Sequence, residues 1–226
     1  MKIIGKHHMM LSMLQLKVTD FTIEPVERKV IQSFVHKWHY SHSTNGVQQT
    51  QCFALFNGEK MIGAMMYALP SMKSTASKYN PDNPLRCWEL RRLCCIDDTP
   101  TNTESYFIGQ TLKWLRRNTN IEVIISYADL EFGHEGVIYK ATNFIHLGKS
   151  GGGRVLVVDG KKYHARSLNQ KEKPYGRDLK RRWQNKEGHK FWESEQDMYF
   201  VNTKPKNIYV YYLNKKVKKK LSKQYL

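Results

Sequence analysis

Asn57-Gly58 stands between two apolar runs, Gln51 to Phe56 and Lys60 to Leu69. An Asn-Gly step accepts the left-handed backbone of a tight turn, so the flanking runs are expected to pair as a hairpin. That pairing commits the chain to a sheet, and the remaining pattern has to be built around it. Pro25 to His39 reads as a helix: Pro25 suits a first turn, and Val26, Val30, Ile31, Phe34, Val35 and Trp38 recur at helical spacing. Pro70 to Pro84 has three prolines and no periodicity, so it reads as a loop. Arg86 to Ile96 reads as a long strand. Thr101-Asn102-Thr103-Glu104 matches a capping box opening a helix that closes near Asn118, with Phe107, Ile108, Leu112 and Leu115 on one face.

Ile121 to Ala128 is a buried strand in this reading. His134 to Asn143 follows as a short helix and Phe144 to Leu147 as a strand. Arg154 to Val158 and Lys162 to Arg166 form a second hairpin across Asp159-Gly160. The order α-β-β-β-α-β-α-β-β predicts an α/β (α+β) fold, a mixed sheet with helices on both faces. In such sheets ligands gather at the carboxyl ends of strands. Two such ends stand out, Asp97-Asp98 and Asp129.

A chain of 226 residues makes one ordinary domain, or one with an extension. It buries roughly 70% of its unfolded surface and needs no disulfide or zinc staple. Cys52, Cys87, Cys94 and Cys95 include no C-x-x-C pair, and adjacent Cys94-Cys95 lie in an apolar run, as buried thiols of a reducing cytosol would. No signal peptide and no bilayer-length apolar run is read, so a cytoplasmic protein without a membrane partner is expected.

The formal net charge of +17 is unevenly spread. Residues 161–226 carry 19 Lys/Arg against 6 Asp/Glu, together with Tyr163, Tyr175, Trp183, Phe191, Trp192, Tyr199, Tyr209, Tyr211 and Tyr212. Cations interleaved with rings suit a polyphosphate carrying flat bases. The plainer reading is a solvated basic tail. The expected organisation is a catalytic domain over 1–167 and a basic, aromatic extension over 168–226. Lys171, Lys173, Arg177, Lys180, Arg181 and Arg182 are the candidate phosphate contacts on double-stranded DNA. Trp183 and Trp192 either fill a vacated base stack or anchor the extension. The oligomeric state is open, a homodimer being one option.

The element order is similar to the GNAT acyltransferase fold. Tyr139-Lys140-Ala141-Thr142-Asn143-Phe144 has the spacing of the Tyr-x-x-x-Gly-Phe pattern of many GNAT enzymes, with Asn where Gly would adopt a left-handed backbone. That resemblance implies that Tyr139 protonates a departing coenzyme A thiolate; a core tyrosine is the alternative. A closer resemblance is carried by His39-Tyr40-Ser41, Trp88-Glu89-Leu90-Arg91-Arg92-Leu93, Ser126-Tyr127-Ala128-Asp129, Gly133 to Tyr139, Asn143 to Gly148 and His164-Ala165-Arg166-Ser167. In order and spacing these resemble the Mom family of phage DNA-modification proteins. The resemblance implies a GNAT-like transferase. It would add a carbamoylmethyl (acetamide) group to the exocyclic amine of adenine in DNA, protecting phage DNA from host restriction.

That amine is a poor nucleophile, because its lone pair is delocalised into the ring, so a positioned base or a strongly activated donor is needed. His39 and Asp129 are the candidate bases, with Tyr40, Ser126 and Tyr139 completing the candidate catalytic set. Strand alternation puts Ser126 and Asp129 on opposite faces unless the strand end bends. Acetyl-CoA or a related activated donor is the candidate cofactor. Thr103, Ser105 and Tyr106 at a helix N-terminus are its candidate contacts, although no glycine-rich phosphate loop lies between Asp98 and Ile108. Iron is a further option, with His36, His39, His42, Asp129 and His134 as candidate ligands. Two other functions fit the same residues: a conventional GNAT acetyltransferase acting on a protein or small amine, and a non-catalytic DNA-binding protein on a GNAT-like core.

Overall fold

The computed structural model describes residues 16–44, 50–164, 168, 174–188 and 198–221. In chain order the strands are β1 (Thr22–Val26), β2 (Thr50–Asn57), β3 (Lys60–Ala68), β4 (Cys87–Cys95), β5 (Val123–Asp129), β6 (Ile145–Lys149), β7 (Arg154–Val158), β8 (Lys161–His164), β9 (Met198–Asn202) and β10 (Lys206–Tyr212). The helices are α1 (Arg28–Trp38), α2 (Lys73–Tyr79), α3 (Thr103–Asn118), α4 (Val137–Ala141), α5 (Pro174–Gly188) and α6 (Lys215–Leu221). No described helix is long and apolar enough to cross a membrane.

The chain forms two compact units. The first takes the chain to Ala128, then Gly136–Gly148 and the residues from Ile208 on; the second takes Asp129–Glu135 and Lys149–Asn207. The division therefore does not fall at residue 167. The reason is β10, whose Ile208, Tyr209, Val210 and Tyr212 are buried and which runs between β5 and β6. An Ile-Tyr-Val-Tyr-Tyr run is a buried-strand signal, and the lysines around it hide that signal in a count of charge.

The first unit is built on a seven-stranded mixed sheet in the order β1-β2-β3-β4-β5-β10-β6. The expected hairpin is β2–β3, with Asn57 opposite Lys60 and Gly58 at φ +58°. β3 and β4 are antiparallel; β4 and β5 are parallel, as the intervening α3 requires. One face packs Phe107, Ile108, Leu112 and Leu115 of α3 and Tyr139 of α4. The other packs Ile31, Phe34 and Val35 of α1, and separately Ala76 and Tyr79 of α2 with Leu221 of α6. Each such side chain contributes about 1.5–3 kcal/mol on burial, and that clamps the sheet from both sides.

Three local expectations fail for identifiable reasons. Pro25 lies not in a helix but in β1, opposite Phe53; β1 is an edge strand, where a residue without an N–H costs nothing to the ladder. Helix α1 starts at Arg28 instead. The segment 70–84 is not all loop: α2 buries Ala76 and Tyr79, too short a stretch to show a period. The Thr101–Glu104 capping box does not form. Asn102, at φ +72°, precedes the first turn, and Thr103 is buried with its hydroxyl donating to the Pro100 carbonyl at 2.6 Å.

The second unit holds a three-stranded antiparallel sheet, β8-β7-β9. Leu156, Val158 and Met198 pack there with Leu179 of α5, and Trp183 stacks edge-on against Phe200 at 4.9 Å. Lys171, Lys173 and Trp192 lie outside the described residues.

Candidate functional site

The parallel pairing of β4 and β5 covers only four residues, from Cys87↔Val123 to Leu90↔Ser126. β4 continues to Cys95 and β5 to Asp129 without pairing to each other, so the sheet opens between its two central strands. Ser126 is the last residue of β5 paired with β4. It is fully buried, and its hydroxyl donates to the Leu90 carbonyl at 3.3 Å.

A bulge fixes what borders the opening on β4. The β3–β4 register slips at Arg91: Met66 faces Arg92, while Tyr67 faces Leu90. The extra residue breaks the alternation, so Leu90 and Leu93 both pack on the α3 face. Arg91 and Arg92 consequently share the other face, which strict alternation forbids. Two arginines between leucines three apart are the sequence trace of this bulge, a signal the motif reading did not use.

Tyr139 comes to the opening from α4. Gly136 starts that helix at φ +85°, and a Cβ there would lie 2.3 Å from the ring of Tyr209. Only glycine lets the helix begin against β10 in this way. The chain leaves through Asn143 at φ +63°, the left-handed backbone expected of the residue standing in for glycine. The Tyr139 ring rests on Phe144 and Tyr209, with centroids 5.4 and 5.1 Å away. Burial pushes its hydroxyl up to about 12, against a hydrogen bond with Ser126 that lowers it; the nearby Tyr40, Glu89 and Tyr209 add to the rise. At neutral pH Tyr139 is therefore an undissociated phenol, able to donate a proton.

His39 ends α1 and is buried. Its Nδ1 accepts from the Ser41 backbone N–H at 3.1 Å and lies 2.8 Å from the Ser41 hydroxyl. The neutral ring then carries its proton on Nε2. Tyr40 stacks on this ring at 4.3 Å and remains 40% exposed. Arg92 binds the Ser43 carbonyl through Nε at 2.8 Å, holding the His39–Thr44 loop against β4. Arg91 reaches Ser71 at 2.8 Å and Glu89 at 3.2 Å.

Four of the expected catalytic residues, His39, Tyr40, Ser126 and Tyr139, belong to the first unit. Asp129 falls in the second. It is buried, with one carboxylate oxygen 2.5 Å from Lys206 Nζ and the other accepting from the Glu131 N–H at 3.1 Å. It is a paired residue that caps the turn after β5.

The metal option finds no support. Among the described residues no three His, Cys, Asp or Glu side chains converge as ligands. Nδ1 of His42 donates to the His36 carbonyl at 2.8 Å, His39 Nδ1 is taken by Ser41, and Asp129 is held by Lys206. His134 lies in the second unit.

The N-terminus of α3 does not fit a pyrophosphate. The hydroxyls of Thr103 and Ser105 donate back to the Pro100 and Asn102 carbonyls at 2.6 and 3.0 Å, and Tyr106 is half-buried. Exposed Asp97 and Asp98 precede the turn, and Glu104 bears on the Cys95 thiol at the end of β4. Like charge there opposes a phosphate.

On this geometry the first unit is an α/β domain whose parallel strands β4 and β5 part beside a hydroxyl–phenol pair. The chain belongs to the Mom protein family, whose model matches residues 20–226. It is similar to the methylcarbamoylase mom of Escherichia phage Mu, at 27% identity over 206 residues, 90% of this chain and 80% of that protein. Among solved structures it is similar to the spermidine/spermine N-acetyltransferase SpeG from Vibrio cholerae in complex with manganese ions. That likeness has a TM-score of 0.46 and 10% identity, over 89% of this chain and 98% of the other. A Bacillus subtilis acetyltransferase in complex with CoA gives 0.47 and 7%, over 86% and 99%.

Proposed function

We propose that this protein is a transferase that modifies the exocyclic amine of adenine in DNA. The product we assign is the carbamoylmethyl adduct, and its role is to shield phage DNA from restriction. The reading is supported by membership of the Mom family and by the name of the phage Mu relative. The observation that carries it is the gathering of Ser126, Tyr139 and Tyr40 where β4 and β5 part.

Each residue has a task in this proposal. The partly exposed Tyr40 meets the edge of a purine swung out of its stack, offsetting part of the few kcal/mol that extrusion costs. The amine attacks the activated methylene carbon of the donor as the bond to the leaving atom breaks, and the proton the amine nitrogen sheds passes to water. Tyr139, neutral because it is buried, gives that atom a proton. Ser126 holds the phenol in place. His39, with its proton on Nε2, offers a further donor toward the donor's carbonyl oxygen. The donor in this proposal bears the leaving atom on the methylene carbon of the carbamoylmethyl group, since an acyl-CoA thioester attacked at its carbonyl would give an N-acyl product instead; no step is assigned to phosphates of the donor, since the α3 turn does not fit them.

Nucleoside mass spectrometry of DNA from cells expressing the chain tests this. A deoxyadenosine species heavier by one carbamoylmethyl group is expected. An unshifted deoxyadenosine peak under good expression contradicts the proposal, and acetylation of protein instead would favour an ordinary acetyltransferase.

A further inference from the structure

Helix α6 carries five lysines, Lys215, Lys216, Lys218, Lys219 and Lys220. Its two apolar residues dock it: Leu221 is buried and Val217 partly so, packed with Ala76 and Tyr79 of α2 and with Ile208, Val210 and Tyr212 of β10. All five lysines are exposed. Asn214 fixes the start of the helix. Its side chain accepts from the Lys216 N–H at 2.9 Å and its carbonyl from the Lys218 N–H at 3.0 Å. The Leu213 N–H donates to the Glu122 carbonyl at 2.8 Å, so α6 begins beside the entry to β5, at the opposite end from the parting of β4 and β5.

The last turn of α3 comes to the same end. Arg116 donates to the Leu213 carbonyl at 3.3 Å and to the Tyr211 hydroxyl at 2.9 Å, and Arg117 beside it is exposed. Two carboxylates here are already engaged. Asp82 holds Lys220 at 2.5 Å, and Glu122 holds Arg86 at 3.1 Å and Asn80 at 2.9 Å. Lys215, Lys216, Lys218, Lys219 and Arg117 have no ion-pair partner among the described residues. This charge does not serve the helix. Lys215 and Lys216 stand in its first turn, where the helix dipole disfavours cations. Lys215 and Lys219, and Lys216 and Lys220, set like charges four residues apart. A polyanion lying across α6 relieves both effects.

We infer that Lys215, Lys216, Lys218 and Lys219 of α6, with Arg117 of α3, anchor duplex DNA through its phosphates, away from the base that is modified. The inference deepens the proposed function and rests on it for the choice of DNA. Lysine amines are point charges on flexible stems, which follow a backbone carrying one charge per ~1.7 Å without a fixed geometry. A bilayer would need an apolar face, and that of α6 is turned into the core. The β5 strand is about 23 Å long, so a duplex reaching both the opening and this end need extend only about seven base pairs beyond the target.

The test is duplex binding by the full chain over a range of sodium chloride, without turnover. Replacing Lys215, Lys216, Lys218 and Lys219 together by Gln removes four charges. Gln matches Lys in helix preference, so the melting temperature should hold. The slope of log affinity against log salt should become shallower by about 3, and affinity at physiological salt should fall roughly tenfold or more. Arg117→Gln, on a separately packed helix, should change the slope by about 1. Lys29→Gln with Lys60→Gln, exposed lysines of α1 and β3, should keep the wild-type slope. An unchanged slope in both the fourfold variant and Arg117→Gln, or an equal loss in the Lys29 and Lys60 control, would overturn the anchor. Anionic vesicles that bind wild type as tightly as duplex does, and lose it in the fourfold variant, would overturn the choice of DNA. A wild type that does not bind duplex overturns the anchor whatever the nucleoside measurement gives. A carbamoylmethyl adduct together with unchanged slopes overturns the anchor alone and leaves the proposed function standing.

Discussion

At Tyr139 a single proton is held by burial rather than by a charged partner. The phenol stays protonated until the pH approaches about 12, so as a proton donor it is active throughout the neutral and mildly alkaline range. No alkaline loss of activity from Tyr139 is expected below about pH 10, and a rate profile that fell between pH 7 and 9 in wild type but not in Tyr139→Phe would contradict this. The buried thiols follow the same rule for stability. Burial pushes Cys87 and Cys94 up to about 12 from an ordinary thiol value of 9.0, and Cys95 is raised further. The folded state therefore binds these protons more tightly than the unfolded chain does. That contribution is complete below pH 9 and is lost as pH rises through about 12. Melting temperature should decline above pH 9; a flat profile to pH 10.5 would show that these thiols reach solvent. The left-handed turn at Asn143 was legible in the sequence because Tyr-x-x-x-Asn-Phe combines a spacing with a backbone demand there. A carboxylate at a strand end, as at Asp129, has the same sequence signature whether it caps a turn or abstracts a proton.

Elements were legible where one local rule decides them. Asn57-Gly58 admits one turn geometry, and the hairpin follows with its register. Elements were illegible where tertiary contact decides. Pro25 satisfies both a first helical turn and an edge strand, and the pairing with Phe53 selects the strand. The Thr101–Glu104 box offered its cap, yet Thr103 is drawn inward and Asn102 takes the left-handed position. Helix α4 gives the sharpest test at this scale. Gly136→Ala would place a methyl 2.3 Å from the Tyr209 ring at φ +85°. A loss of about 2–4 kcal/mol is expected from backbone strain and overpacking together, read as a lowered denaturant midpoint. An unchanged midpoint would mean that β10 yields easily and does not position Tyr139.

Over the whole chain, charge was easier to read than architecture. The basic last third is not a tail: it supplies an internal strand to one unit and a helix to the other. Its arginines are also less available than their number implies. Arg182 makes a two-pronged pair with Asp159 at 2.9 and 3.0 Å, and Arg181 pairs with Asp178 at 2.9 Å. Arg177 and Lys180 are the sharper probes of a DNA-facing α5. Arg177→Glu with Lys180→Glu should weaken duplex binding and make its salt slope shallower by about 2; unchanged binding would remove α5 from the interface. Charge reversal at Arg182 would instead disturb the second unit's own fold.

The central claim is that transfer onto adenine occurs where β4 and β5 part, with Tyr139 as proton donor. It is tested most directly by the modified fraction of deoxyadenosine in DNA from cells expressing Tyr139→Phe and wild type at matched levels. The account predicts a drop of roughly 100-fold or more with duplex affinity unchanged. Equal modification by the two proteins would contradict it.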